Sequence, residues 1–140
     1  MTRTDRVRRV DPSRADAFAE VGRRLLSAGR AIQEQGDPRH ASALAILAVH
    51  AAIAYADAVC VHRGGRKSAS ADHQAALHLL RGIMGNRLPE PMAKALARVL
   101  AEKDRVEYQG YVVTLGEAVS VFELAERFGT WAERVLIGAT

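Results

Sequence analysis

The stretch Ala41–Val61 is apolar on nearly every side of a helix, with His50, Tyr55 and Asp57 as its interruptions. A helix without a polar face must be buried on every face. The rest of the chain therefore has to wrap around this one element, or a partner must cover part of it. With 140 residues, the chain fits a single domain large enough to hide such a helix. Ala and Leu dominate the apolar half of the composition, and β-branched and aromatic residues are scarce, which is helix-forming material.

Local signals divide the remainder into four further helices. Asp11-Pro12 and Asp37-Pro38 each place an N-cap before a first-turn proline, and glycines at 36 and 64–65 close the segments that follow. Phe18, Val21, Leu25, Ala28 and Ile32 alternate by three and four, which predicts an apolar seam on the first helix. After a polar connection at 66–70, Ser68 or Ser70 is expected to cap a helix carrying Ala76, Leu77, Leu80 and Ile83. Pro91 starts a fourth helix with Met92, Leu96, Val99, Leu100 and Val106 on one face. Thr114-Leu-Gly-Glu117 is a capping box, and the stripe behind it runs Ala118, Val121, Phe122, Ala125, Phe128, Ala132, Val135. The expected fold is all-α, an antiparallel bundle of about five helices over 11–140 with no strands.

Residues 1–10 stand apart. Arg3, Arg6, Arg8 and Arg9 crowd this segment against a single Asp5, and only Val7 and Val10 offer apolar surface. That composition predicts a basic, flexible arm able to meet phosphate. The formal net charge of +4 is modest for a nucleic-acid binder. The N-terminus lacks the apolar core of a signal peptide, and no apolar stretch of bilayer-spanning length runs free of charge. One cysteine, Cys60, excludes an intrachain disulfide and fits a reducing compartment. A cytoplasmic chain without contact to membrane is expected.

The chemistry-bearing residues are few. His73 and His78 are five apart, about 140° around a helix axis, and the other histidines also diverge, so neither metal nor cofactor is expected. His50 and Asp57, seven apart, share a face. An acid on so apolar a helix needs a cationic partner from elsewhere, or serves to orient a base. Two clusters remain. Arg66-Lys67-Ser68-Ala-Ser70-Ala-Asp72-His73 puts cations and a helix N-terminus beside an imidazole, a combination suited to an anion. Lys103, Glu107 and Tyr108 lie within about a turn and a half at the end of the fourth helix and can reach one pocket.

The runs AAIAYADAVCVHRGGRKSASADHQAALHLL and LAEKDRVEYQGYVVTLGEAVSVFELAERF, with these clusters in this order, resemble the short bacterial branch of the HEPN family (higher eukaryotes and prokaryotes nucleotide-binding). The resemblance spans roughly 40–137. It implies a homodimeric helical bundle that binds nucleotide or RNA. Many members are metal-independent ribonucleases, toxins paired with a nucleotidyltransferase-like antitoxin, whose Arg holds the scissile phosphate while a His moves protons. This chain departs from that pattern. Lys103 stands at the Arg position, Asp104 follows it, and no His occupies 108–110.

Lysine lacks the bidentate fork. The expectation is therefore a HEPN-like homodimer that binds a nucleotide, RNA or a partner protein without catalysis, through Arg66, His73, Lys103 and Tyr108, with Asp57 and Asp72 orienting them. The alternative reading, a working ribonuclease toxin, would use His73 as base and Arg66 on the phosphate. A third reading is a purely structural interaction module. A homodimer is expected with the second helix at or near its interface, because the stripes of helices one, four and five, with helix three short, fall short of covering it. Ala54 and Ala58 are the positions at which a partner-facing or a core-facing side is to be tested.

Overall fold

A computed structural model describes residues 6–72 and 74–139, the side chains of Glu107 and Tyr108 excepted. Five α-helices make the fold: α1 (Ala15–Gln35), α2 (Ala41–Gly64), α3 (Gln74–Met84), α4 (Glu90–Lys103) and α5 (Leu115–Leu136). The two Asp-Pro signals act one step earlier than expected. Asp11 accepts from the Ser13 N–H and Asp37 from the Arg39 N–H, both at 2.9 Å. Each therefore caps a 3-10 turn, Pro12–Arg14 or Pro38–His40, that leads into the α-helix. Gly36 ends α1 and Gly65 ends α2, at φ of 65° and 62°. Only glycine takes that left-handed geometry without a Cβ penalty.

The absence of strands is corrected. β1 (Val7–Arg9) pairs antiparallel with β2 (Arg66–Ser68), in the register Val7↔Ser68, Arg8↔Lys67, Arg9↔Arg66. The Val10 N–H donates to Gly65 O at 2.9 Å and the Ala69 N–H to Arg6 O at 2.8 Å, which extends the ladder at both ends. The expected free arm thus docks over residues 6–10, and residues 1–5 lie outside the described part. Backbone pairing supplies what the side chains could not, since a ladder needs no apolar residues.

α2 is the centre. Fifteen of its 24 residues are buried, against α1 and α5 along its length and α3 and α4 at its sides. By length and composition Pro38–Gly64 matches a membrane-spanning helix, yet 78% of its most apolar window is covered by the chain itself. Ala58 is fully buried and Ala54 is 7% exposed. These two residues face the core; the less covered side of α2 runs instead through Ala43, Ile46, Leu47, His50 and Ile53.

The face of α1 explains how this cover is achieved. The expected seam of large residues is displaced: Val21 is 51% exposed, and the buried positions are Ala15, Ala19, Gly22, Leu26 and Gly29. Phe18, Leu25 and Ile32 flank that line, packed against the core but only partly buried. Small residues let rings from elsewhere enter. A Cβ on Gly22 would stand 2.7 Å from the Tyr55 ring, and one on Gly29 only 2.2 Å from the Phe122 ring. A Cβ on Gly129 of α5 would likewise stand 2.8 Å from the Tyr55 ring. Glycines on two helices thus make a slot for the α2 tyrosine.

Candidate functional site

A cleft of about 350 Å³ opens between α2, the stretch from β2 to α3, and the end of α4. α2 contributes His50, Ile53 and Asp57, the connection contributes Lys67 to Asp72, and α4 contributes Lys103. Three segments remote in sequence therefore bring two acids and two ammonium groups to one concavity. Sequence expectation placed Asp57, Asp72 and Lys103 together, and they do line the same cleft. Arg66 does not line it; its side chain is exposed on the strand. His73 and the Tyr108 side chain lie outside the described residues.

Lys67, not Arg66, is the strand's inward cation, because neighbouring strand residues point to opposite faces. Its Nζ stands 3.7 Å from the Asp57 carboxylate and 5.8 Å from the centre of the Phe18 ring. Asp57 thus finds a cationic partner from elsewhere, on a strand. It is 8% exposed, and burial pushes its carboxyl up to about 6, against which the Lys67 charge pulls it back down. One turn on, Cys60 is 2% exposed. Burial first, and the Asp57 charge second, push its thiol up to about 12, so it is no nucleophile at neutral pH.

The connection from β2 to α3 is a chain of short turns. The Ser68 hydroxyl accepts from the Ser70 N–H at 3.3 Å and the Ser70 hydroxyl from the Asp72 N–H at 3.1 Å. Asp72 then accepts from the Gln74 N–H at 3.0 Å. The cap of α3 is therefore Asp72, where a serine was expected. Its carboxylate occupies an N–H group that was expected to receive an anion, which leaves the lysines as the cleft's anion-binding groups.

Lys103 sits where α4 changes pitch. Asp104–Tyr108 is a single π-helical stretch, a feature that recurs at functional sites because it re-aims side chains. Around it Glu102 is fully buried and pairs with Arg105 at 3.1 Å. Arg105 also reaches Glu117 of α5 at 3.3 Å and stacks 4.1 Å from the centre of the Tyr111 ring. The capping box forms as expected at Thr114 and Glu117. The Thr114 N–H and the Tyr111 hydroxyl both donate to Glu117 and hold its carboxyl down to about 2. Arg105 thereby ties the π-helical stretch to α5 and fixes the backbone from which Lys103 projects.

A second cavity of about 220 Å³ lies over Tyr55, between α1 and α5. Its groups are spent on each other: the Tyr55 hydroxyl donates to Glu133 at 2.7 Å, and Arg23 forks onto Glu133 at 2.7 and 3.0 Å. Arg23 also pairs with Asp16 and Glu20, and Arg30 with Glu126. This network staples α1 to α5 above the tyrosine. Among the described residues no three His, Cys, Asp or Glu side chains gather as metal ligands.

No family model, curated protein or solved structure matches the chain.

Proposed function

We propose that the chain is a HEPN-like helical domain whose cleft holds a nucleotide or the terminal phosphate of an RNA without turning it over. The observation that carries this reading is the convergence of Lys67, Lys103 and Asp57 on one cleft of nucleotide-sized volume, about 350 Å³. A bare anion would meet Asp57 and Asp72 as repulsive neighbours. A nucleoside phosphate suits the mixture better: its phosphate lies on Lys103, and its sugar hydroxyls or base N–H groups donate to the carboxylates. Lysine serves as a point charge for phosphate and lacks the fork that stabilises a transferring group. Arg66, which a ribonuclease reading needs on the phosphate, stands outside the cleft. These features support binding over turnover.

The test is equilibrium dialysis with adenosine and guanosine mono- and triphosphates and a 5′-phosphorylated RNA dinucleotide. Lys103→Ala is expected to weaken binding about 10- to 100-fold, the range for one hydrogen bond to a charged group, with an unchanged thermal midpoint. Equal affinity of the variant, or no binding by the wild type at millimolar ligand, overturns the reading.

A further inference from the structure

The ribbon of β1 and β2 carries charge that the fold does not use. Arg6, Arg8, Arg9 and Arg66 are all exposed, and among the described residues none has a carboxylate within ion-pair distance. The acids near them are committed elsewhere. Asp11 accepts from the Ser13 N–H, Asp57 faces Lys67, and Asp72 caps α3. Arg9 and Arg66 are direct cross-strand partners, so they share one face of the ribbon with Cβ atoms about 5 Å apart, where like charges oppose pairing. A phosphate between two such guanidinium groups turns that repulsion into a clamp.

We propose that this Arg9–Arg66 pair is a docking surface for the phosphodiester backbone of a nucleic acid strand; Arg6 and Arg8 alternate onto the other face of the ribbon, the face of Lys67. The docking surface is separate from the cleft, whose lining includes none of these arginines. Charge complementarity selects the occupant: the surface offers guanidinium forks, which match phosphate oxygens, and only Val7 as an apolar neighbour. Three residues of strand span about 10 Å, enough to follow a short run of backbone and read no sequence. Binding there is electrostatic and strongly salt-dependent.

The test is fluorescence anisotropy of a labelled 20-nucleotide single-stranded RNA of mixed sequence, titrated between about 50 and 300 mM NaCl, with the matching DNA as a second arm. Two phosphate contacts, at Arg9 and Arg66, give a log–log slope near about −1.4, at about −0.7 per contact. The combined variant Arg9→Gln and Arg66→Gln is expected to bring the slope close to zero and weaken binding at least tenfold at the lowest salt. The same two positions changed to Lys are expected to keep a slope of about −1.4, which separates lost charge from lost folding. Binding of mononucleotide in the cleft is expected to be unchanged in the Gln variant, so this proposal and the cleft reading fail independently. An unchanged slope in the Gln variant overturns the proposal. So does equal binding of a polyglutamate peptide or of vesicles containing phosphatidylserine, which would assign the surface to an acidic protein or a membrane.

Discussion

Replacing Asp57 by Asn is expected to stabilise the protein at neutral pH, although the change removes one half of an ion pair. The folded state holds the Asp57 carboxyl near 6, and its ordinary value is 3.8. The difference of about 2 pH units, at about 1.4 kcal/mol each, means that ionised Asp57 opposes folding by roughly 3 kcal/mol. The contact to Lys67, at 3.7 Å, is too loose to offset the loss of hydration. Because the folded state binds the proton more tightly than the unfolded chain, this cost is fully present above pH 6. It shrinks as pH falls from about 6 towards 4. Between pH 7.5 and 5 the wild type should gain about 1.4 kcal/mol relative to Asp57→Asn.

Urea melts of both proteins across that range measure the difference directly, and taking the difference cancels the other titrating groups. Leaving Lys67 without its partner trims the gain, so Asp57→Asn should be about 1–3 kcal/mol more stable at pH 7.5. Destabilisation of the variant at pH 7.5 by several kcal/mol, with no pH dependence in the difference, would refute the reasoning. It would show that the pair is a net stabiliser and the acid stays ionised.

Other expectations follow from the packing. Gly29→Ala drives a Cβ to 2.2 Å from the Phe122 ring, so it should lower stability by about 1–3 kcal/mol, seen as a lower urea midpoint. Gly82→Ala has open space around it and should raise stability by up to about 1 kcal/mol; equal effects at the two sites would discredit the account of α1. Tyr55→Phe keeps the ring in its slot but removes the 2.7 Å bond to Glu133, with an expected loss of about 1.5–3 kcal/mol in thermal or urea melts. Thr114→Ala dismantles the capping box and should cost about 1 kcal/mol, with faster amide exchange in the first turn of α5.

The helices and their order were legible because the signals were local. Asp-Pro pairs, Gly36, Gly65 and the Thr114–Glu117 box act through neighbouring backbone groups, and the α5 stripe is buried at every expected position. The face of α1 was not legible. Apolar periodicity weights large side chains, whereas the buried line of α1 depends on Gly22 and Gly29 making room for rings of α2 and α5. The ribbon was hidden for a related reason, since three-residue strands rich in arginine carry no hydrophobic alternation. That error propagated into the site. With residues 66–68 read as loop, nothing chose between Arg66 and Lys67. Strand alternation is what sends Lys67 to Asp57 and leaves Arg66 outside. The convergence of Asp57, Asp72 and Lys103 was suggested by order along the chain, and the packing of α2 against α3 and α4 brings them to one cleft.

The most direct test of the central claim, that the cleft between α2, the β2–α3 connection and the end of α4 binds nucleotide, is a titration of ¹⁵N-labelled protein with a nucleoside triphosphate, followed by amide shifts. The account predicts saturable changes at Ser68, Ser70, Asp72 and Lys103, with Arg23, Gly129 and Glu133 on the stapled α1–α5 face unmoved. Shifts confined to that α1–α5 face, or none up to millimolar nucleotide, would contradict it.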